Sequence, residues 1–461
     1  MSSEQPLPSS FRDPGGFLFA RDGTLYRQIN RSCRSSYDQL MGSGLYRALT
    51  EEKLLVAHQE TAEEPADAAE AYKVIRPQPV PFISYPYEWC FSQLKDAALL
   101  TLKIQRKALE FGMGLKDASA FNVQFSDGKP VLIDTLSFEP YPEGSPWIAY
   151  RQFCQHFLAP LALMSRRDGR LGRLFQLHLD GIPLDLADPL LPRGSRLSPG
   201  LLLHLHLHAG AQRWFGGKTP ARTAQGMNRQ ALVGLADHLE RTVQALRFRP
   251  GAGGWEVYYE QKGFFPKMLE GKKRVVEKFL DEIRPAPHTA WDLGANTGLF
   301  SRLVSRRGIF TVAWDADASC VERNYREWAA QPEPHLLPLV MDLTHPSPSC
   351  GWACAERASW LERGPVDLVL ALALVHHLAI ANNVPLDKIA GLLAQTGQWV
   401  VVEFVPKQDP QVQTMLAGRE DIFPSYTQAG FEKALRARFA VRRSEEVPGT
   451  GRMLYLLERA Q

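Results

Sequence analysis

The C-terminal half of the chain alternates between short apolar runs and stretches with the spacing of amphipathic helices. Five apolar runs end at Asp292, Asp315, Asp342, Leu374 and Phe404. Helical spacing falls between or after the later runs, over 318–329, 352–362, 385–395 and 412–418. Because strands that alternate with helices pair in parallel, this pattern predicts a doubly wound α/β sheet.

Two further apolar runs follow near the end of the sequence. They cover residues 439–443 and 453–457, and the turn-forming residues 448–451 lie between them. Strands joined by a short turn pair in an antiparallel manner. These two runs therefore predict a hairpin that completes a sheet of seven strands.

A glycine-rich turn follows the first predicted strand. Asp292 ends the strand, Gly294, Asn296 and Gly298 occupy the turn, and a helix begins at Leu299. Glycine adopts backbone conformations that other residues avoid, and it lets the backbone approach a ligand closely. A strand, a glycine turn and a helix in this order form the cofactor-binding opening of a doubly wound fold.

Acidic residues end the next two predicted strands. Asp315 lies 21 residues after Gly294, and Asp342 ends the third strand. In adenosine-binding α/β domains, a carboxylate at the end of the second strand accepts hydrogen bonds from the ribose hydroxyls. The alternative is that both aspartates only cap helices or turns.

The seven predicted strands resemble the class I S-adenosylmethionine-dependent methyltransferase fold, over residues of about 255–461. The turn lacks the G-x-G-x-x-G spacing of dinucleotide binders, which disfavours hydride transfer. The resemblance implies S-adenosylmethionine as the cofactor, held by Asp292, Gly294, Ala295, Asn296, Gly298, Asp315, Asp342 and Leu372. It implies the methionine part at the glycine turn, the ribose at Asp315 and the adenine amino group at Asp342.

Residues 372–378 and 403–410 are similar to a bacterial methyltransferase family that is often labelled nodulation-protein-like. His376 and His377 follow the fourth strand directly, and Glu403 lies inside the fifth. Ligands of open α/β sheets bind at these strand ends, so these three residues are the candidates for catalysis. A structural role is the alternative for both histidines. A glutamate in an apolar strand needs a charged partner or a function, because burying a bare carboxylate is costly.

The first part of the chain predicts a separate domain. The sequence has 461 residues, which is long for a single core. The glycine-rich segment 249–254 is the clearest linker. It divides the chain into an N-terminal α+β domain at 1–250, expected to recognise the substrate, and a methyltransferase domain at 255–461. The elements predicted in the first domain are strands at 17–20, 24–29 and 53–58 and helices at 37–49 and 91–111.

A second motif lies inside this first domain. Asp117 and Asn122 are five residues apart, and a predicted hairpin leads from them to Asp134. This arrangement resembles the catalytic loop of small-molecule kinases. The resemblance implies a kinase-like fold for the N-terminal domain, with magnesium and ATP at these three residues. The sequence departs from the pattern at Lys116, where protein kinases carry arginine, and it has no proper glycine-rich phosphate loop. The alternative is that the three residues form turns around the hairpin.

Composition places the chain among ordinary soluble proteins, with 45% hydrophobic and 22% charged residues. A net charge of +3 gives no indication of nucleic-acid binding. The sequence shows neither the pattern of a signal peptide nor an apolar run of transmembrane length. Six scattered cysteines without a C-x-x-C pair predict reduced thiols, and a cytoplasmic location is expected.

Three histidines alternate with leucine over residues 204–208. As a strand, this segment would place the three imidazoles on one face and form a candidate metal site. As a helix, it would spread them over different faces. The leucines before the segment and the small residues after it favour the helix, so no metal site is predicted.

Together these patterns predict a methyltransferase that modifies an oxygen of a small molecule or glycan. The alternatives are a bifunctional kinase and methyltransferase, a methyltransferase acting on RNA or protein, and a binding protein that keeps the cofactor fold without turnover. The intact glycine turn argues against the last. The methyl acceptor and the oligomeric state are open at this point.

Overall fold

The computed structural model describes residues 6–210, 227–250, 265–418 and 420–460. These residues divide into two compact units. The first unit contains the described residues up to 250 together with Cys350–Arg357, and the second unit contains the other described residues. The predicted linker at 249–254 lies mostly outside the described residues.

An antiparallel sheet of four strands lies in the first unit. The strands of the unit are β1 Gly16–Arg21, β2 Thr24–Asn30, β3 His58–Thr61, β4 Ala71–Pro77, β5 Met113–Leu115, β6 Val123–Ser126, β7 Lys129–Leu132 and β8 Phe138–Pro140. The main sheet has the order β1-β2-β4-β3, and two smaller sheets pair β5 with β8 and β6 with β7. Strands and helices occur together, which confirms the predicted α+β class of this part.

The helices of the first unit are α1 Arg34–Gly42, α2 Leu45–Glu51, α3 Phe91–Glu110, α4 Tyr150–Phe153, α5 Ala159–Arg166, α6 Leu184–Leu190, α7 Pro199–Leu201 and α8 Arg229–Ala245. The long helix α3 confirms the prediction at 91–111. Leu94, Ala98 and Leu102 on this helix are fully buried. Their spacing of four residues places them on one face, which packs into the core.

Two predictions for the first unit are wrong. The helix expected over 37–49 is broken at Gly44, whose left-handed backbone (φ 87°) separates α1 from α2. The segment expected as a strand over 53–58 begins with a turn at Lys53, where φ is 54°, and the strand starts only at His58. Strand β4 was not predicted, because its pairing with β2 and β3 depends on residues far away in sequence.

The hairpin predicted between Asn122 and Asp134 is confirmed as β6 and β7. Its connection contains Asp127 and Gly128, with φ angles of 50° and 79°. Positive φ at both central residues is typical of the tight turns that match the twist of a hairpin.

The segment at 204–208 is helical, as predicted, within a π-helix at Leu202–Leu207. His204 Nε2 lies 2.6 Å from Nδ1 of His238, and Tyr150 contacts the other ring nitrogen of His204 at 2.8 Å. Among the described residues, no group of three or more His, Cys, Asp or Glu side chains could hold a metal ion. No helix in the described part of the chain is long and apolar enough to cross a membrane.

A seven-stranded sheet forms the centre of the second unit. Its strands are β9 Thr289–Leu293, β10 Phe310–Asp315, β11 Leu336–Val340, β12 Val366–Ala371, β13 Gly397–Phe404, β14 Phe439–Glu446 and β15 Met453–Arg459. The order is β11-β10-β9-β12-β13-β15-β14. The first five strands in this order are parallel, and β15 is antiparallel to both of its neighbours. This arrangement confirms the predicted class I methyltransferase sheet.

Helices cover this sheet. They are α9 Phe265–Glu282, α10 Leu299–Ser305, α11 Ala318–Ala330, α12 Leu386–Thr396, α13 Pro410–Leu416 and α14 Gln428–Arg436. Apolar side chains of α9, among them Val276 and Phe279, join a buried cluster with Leu370 of β12 and Val401 of β13. Because α9 and the sheet share this cluster, the helix is fixed against the strands that end at the candidate site.

The helix predicted over 352–362 is wrong. The segment instead contains two short 3₁₀ turns, Trp352–Cys354 and Leu361–Arg363, and φ is positive at both Ala353 and Cys354. A long-range contact explains the difference, because the buried carboxylate of Glu356 accepts two hydrogen bonds from Arg12 at 2.6 and 2.9 Å. Such a tertiary contact overrides local helical spacing.

Candidate functional site

A cavity of about 290 Å³ opens at the carboxyl ends of the parallel strands of the second unit. It is lined by Gly294, Asn296, Asp315, Ala316, Asp317, Met341, Asp342, Leu343, Thr344, Leu372, Ala373, Leu374, His377, Leu378, Asn382 and Gln411. Residues that follow β9, β10, β11 and β12 all contribute to this wall. Open α/β sheets bind their ligands at this edge.

The glycine turn is tied to the neighbouring strand. Gly294 has a φ of 76°, and the N–H groups of Gly294 and Ala295 both donate to the carbonyl oxygen of Trp314 at 2.9 Å. Gly298, with a φ of 81°, stands at the start of α10. Two glycines therefore supply left-handed conformations where the chain turns from strand to helix.

Asp315 lies at the cavity with both carboxylate oxygens fixed. Oδ2 accepts a hydrogen bond from the N–H of Asn296 at 2.7 Å, and Oδ1 accepts one from the N–H of Asp317 at 2.8 Å. Burial raises the pKa of Asp315 to about 6, against the opposing effect of these N–H donors. A carboxylate offers about four acceptor positions, so Asp315 can accept from a ligand hydroxyl in addition to these backbone groups.

Two further acids line the same cavity. Asp342 accepts hydrogen bonds from the N–H and the hydroxyl of Thr344, at 2.8 and 2.6 Å. Asp317 caps α11 by accepting the N–H of Ser319 at 2.8 Å. Three carboxylates at one cavity favour a ligand that carries positive charge and hydrogen-bond donors.

Three predicted cofactor residues, Asp292, Ala295 and Gly298, do not line the cavity. Asp292 is buried beneath it and accepts a hydrogen bond from the hydroxyl of Ser301 at 2.6 Å, while burial raises the pKa of Asp292 to about 6. Ala295 is buried, and its carbonyl oxygen accepts the N–H of Gly298 at 2.9 Å. Their contacts shape the turn from behind.

The two adjacent histidines occupy different environments. His377 lines the cavity, and burial lowers the pKa of its imidazole. His376 is fully buried behind it, and among the described residues neither of its ring nitrogens has a hydrogen-bond partner. Burial lowers the pKa of His376 to about 2. Of the two, only His377 is placed to contact a bound ligand.

Glu403 is buried in β13 and does not line the cavity. Its carboxylate contacts Lys272 at 2.5 Å and accepts the N–H of Ala373 at 2.7 Å. The charged partner expected for a glutamate in an apolar strand is therefore Lys272. Glu403 contacts the cavity wall through the backbone of Ala373, without reaching the cavity itself.

Several lining residues were not predicted. Asp317 follows Asp315 after one residue, so the run Asp-Ala-Asp was a signal that could have identified it. Asn382 and Gln411 lie in or near loops after β12 and β13 and belong to no motif. Their position at the cavity depends on the path of those loops, which local sequence does not determine.

The kinase-like motif in the first unit is held by internal contacts. Asp134 forms an ion pair with Arg27 at 2.5 Å and accepts the hydroxyl of Ser137 at 2.5 Å. Asn122 donates to the same hydroxyl at 3.4 Å. Burial, together with the nearby charge of Asp134, raises the pKa of Asp117. The charge of Asp134, the acid expected to bind magnesium, is thus balanced by Arg27. This arrangement does not support the predicted site for magnesium and ATP.

No family model matches the chain, and several solved structures resemble parts of it. The magnesium protoporphyrin IX methyltransferase ChlM from Synechocystis PCC 6803 is 15% identical with a TM-score of 0.32, over 45% of this chain and 95% of that protein. The 16S rRNA methyltransferase RmtF is 22% identical with a TM-score of 0.31, over 45% and 69% of the two chains. WbdD, a bifunctional kinase-methyltransferase, is 16% identical with a TM-score of 0.29 in a complex with a kinase inhibitor, over 41% and 40%.

A curated relative matches nearly the whole chain. The nodulation protein NoeA from Rhizobium meliloti (strain 1021) is 33% identical over 463 residues, which cover 99% of this chain and 96% of the relative. The match spans both compact units, and the second unit has the class I methyltransferase sheet described above. The nodulation-protein-like resemblance is therefore confirmed, and the chain belongs to the family of nodulation protein NoeA.

Proposed function

We propose that this protein transfers a methyl group from S-adenosylmethionine to an oxygen atom of a small hydroxylated molecule or a glycan. The observation that carries the proposal is the position of Asp315, at the end of β10 and beside the glycine turn, on a cavity that it shares with Asp317 and Asp342. Such an acid suits a ribose, and three carboxylates suit a ligand with a sulfonium and an ammonium group.

The lining residues fit the parts of this cofactor. Asp315 has acceptor positions for the two ribose hydroxyls, and Asp342 can accept from the adenine amino group. The backbone of Gly294 and of the loop from Leu372 to Leu374 would hold the methionine part. Asp292, Ala295 and Gly298 shape the turn without contacting the ligand.

Methyl transfer is an in-line displacement, and the bound cofactor supplies the reactive carbon. The chain's own residues must hold the acceptor hydroxyl in line and exclude water. His377 is the group at the cavity that can take the hydroxyl proton. Because burial lowers its pKa, the imidazole is neutral at pH 7, the form in which histidine acts as a base.

Recognition of the methyl acceptor is proposed for the first domain, 1–250. The second unit supplies the cofactor cavity, and the contacts of Arg27 with Asp134 oppose magnesium binding in the first unit. Because the charge of Asp134 in the kinase-like motif is already balanced by Arg27, we assign this domain a role in binding the methyl acceptor. Under this proposal the protein is a methyltransferase without kinase activity.

Transfer of a labelled methyl group tests this function. The purified protein is incubated with S-adenosyl[methyl-³H]methionine and a bacterial extract that has been separated into small molecules, glycans, RNA and protein. Label is expected in the small-molecule or glycan fraction, in a bond that has the stability of an ether or ester. Label that appears only in RNA or protein would overturn the proposed acceptor class, and the variant His377→Ala is expected to reduce incorporation while it still binds the cofactor.

A further inference from the structure

Four charged side chains are buried together behind the cavity of the second unit. They are Lys272 of α9, Glu403 of β13, Asp409 at the start of α13 and Arg452 just before β15. Each is at most 7% exposed. Burying a charge is costly unless it is paired, so four such residues in one place require an explanation.

The four side chains form one chain of contacts. Lys272 Nζ lies 2.5 Å from Glu403 Oε2, and Arg452 Nη1 lies 3.5 Å from Glu403 Oε1. Arg452 Nε donates to Asp409 Oδ2 at 2.7 Å. Two positive and two negative charges balance, and Arg452 connects the two carboxylates.

This buried cluster contacts the cavity wall at two separate places. Glu403 Oε2 accepts the N–H of Ala373 at 2.7 Å. On the other side, Gln411 donates its N–H to Asp409 Oδ1 at 2.9 Å and accepts from Arg452 at 3.2 Å. Ala373 and Gln411 both line the cavity.

A third contact reaches the helix that follows the glycine turn. The ammonium group of Lys272 lies 5.0 Å from the ring centroid of Phe300, in α10. The cluster therefore touches the loop after β12, the start of α13 and the helix after the glycine turn.

The backbone is strained at Ala373, where the buried cluster contacts the loop after β12. Ala373 has a φ of 51°, in the left-handed region that residues with a side chain adopt only at a cost. Its N–H is fixed by a carboxylate, and hydrogen bonds to charged acceptors are among the stronger ones. Well-packed apolar residues often replace buried ion pairs without loss of stability, so stability alone does not account for four charges here.

We propose that Lys272, Glu403, Asp409 and Arg452 are positioning residues, which hold Ala373 and Gln411 in the arrangement that binds S-adenosylmethionine. The inference rests on the proposed function. None of the four side chains lines the cavity, so they act on the ligand through Ala373 and Gln411. Glu403 thereby takes a positioning role in place of the catalytic role that its sequence position suggested.

Calorimetric titration with S-adenosylmethionine tests the proposal on the full chain. The variants are Glu403→Gln, Lys272→Met and the double variant, and the unfolding midpoint of each is measured in parallel. Lys278→Met is the matched control, because Lys278 lies on the same helix and pairs with Glu445 at 2.5 Å, but it is exposed. Each single variant is expected to raise Kd about tenfold or more, the cost of losing a hydrogen bond to a charged group. The increase in Kd of the double variant is expected to be smaller than the product of the two single increases. The control is expected to bind like wild type.

The results distinguish a failure of this inference from a failure of the proposed function. Lower unfolding midpoints with unchanged Kd in the folded variants would show that the cluster is only structural and overturn the inference. If the charge variants do not fold, Gln411→Ala decides, because it removes the contact of Arg452 with the wall and leaves the buried charges in place. Wild-type affinity in Gln411→Ala would contradict the proposal. An affinity that falls in Gln411→Ala but is kept in Gln411→Glu, whose side chain still accepts from Arg452, would support it. Absence of binding by the wild type would instead overturn the proposed function itself.

Discussion

The backbone N–H of Asn296 donates to the carboxylate of Asp315 at 2.7 Å, and this bond joins the glycine turn after β9 to the end of β10. The turn follows β9, Asp315 ends the neighbouring parallel strand β10, and the register of the two strands places Leu293 opposite Trp314. Asp315 therefore has two tasks, since it fixes the turn and also faces the cavity. The shape of the cofactor site depends on this pair.

Cofactor affinity is expected to depend on pH through Asp315. Burial raises the pKa of this carboxyl from its ordinary value of 3.8 to about 6, so it is protonated below that pH and ionised above it. Only the ionised form offers all its oxygen lone pairs to ribose hydroxyls and attracts a cationic ligand. Affinity for S-adenosylmethionine should rise with pH between about 5 and 7, as measured by calorimetry.

The variant Asp315→Asn should bind more weakly and lose this pH step. A step that persists in Asp315→Asn would assign the titration to another group, of which Asp292, whose pKa is also about 6, is the first candidate.

The substitution Gly298→Ala is expected to destabilise the second unit and weaken cofactor binding. Gly298 has a φ of 81°, and an added Cβ would overlap the side-chain amide of Asn324. Left-handed backbone alone costs a residue with a side chain about 1–3 kcal/mol, and the overlap adds to this. Urea denaturation measures the loss.

Gly308→Ala provides the matched control for this change. Gly308 has nearly the same φ, 82°, but, its two chain neighbours apart, an added Cβ would meet no atom of the described residues within 4 Å. The difference in unfolding free energy between the two variants isolates the effect of the overlap. Equal losses of unfolding free energy would show that the Asn324 side chain can move aside at no cost in stability.

The buried imidazole of His376 should make the second unit less stable in acid. Its pKa is lowered to about 2 in the folded state, whereas an unfolded histidine binds a proton below about 6.5. The unfolded state therefore binds more protons as the pH falls, and stability is lost below about pH 6.5 at up to about 1.4 kcal/mol per pH unit. The variant His376→Phe should flatten this slope between pH 6 and 4, in urea denaturation curves.

Other groups also shape the slope that remains in His376→Phe. Burial lowers the pKa of His156 in the first unit to about 3, which acts in the same direction, and raises the pKa of Asp292 and Asp315 to about 6, which acts in the opposite direction. An unchanged slope in the variant would show that His376 is protonated in the folded state or exposed to water.

Magnesium and ATP are expected not to bind. Arg27 neutralises Asp134, and the hydroxyl of Ser137 occupies the other oxygen of that carboxylate. Titration of MgATP into the protein should give no binding heat under conditions in which S-adenosylmethionine binds. Binding that disappears in Asp134→Ala would contradict this expectation and support a bifunctional enzyme.

The sequence predicted the second unit well because its apolar strands end at acids and glycines that local patterning reveals. All seven strands and the glycine turn lie where the pattern indicated, although β11 ends at Val340 and β12 at Ala371, two and three residues before the ends of the predicted runs. The segment 352–362 was wrong because Arg12, more than 300 residues away in sequence, binds Glu356 and holds the chain in a non-helical path.

The residues of the functional site also divide into those that local sequence predicts and those that depend on distant contacts. Asp315 and Asp342 could be predicted, because their positions at strand ends follow from the fold. Gln411 and the partners of Glu403 could not, because Lys272 and Arg452 reach the cluster from opposite ends of the second unit's sequence. Contacts between distant segments depend on packing, which short-range patterns do not contain.

Calorimetric titration of S-adenosylmethionine into the wild-type protein and into Asp315→Ala tests whether the cavity binds this cofactor through Asp315. The wild type is predicted to bind at one site per chain, and Asp315→Ala is predicted to bind at least about tenfold more weakly, because two hydrogen bonds to a charged acceptor are lost. No binding by the wild type, or equal affinities of the two proteins, would contradict the account.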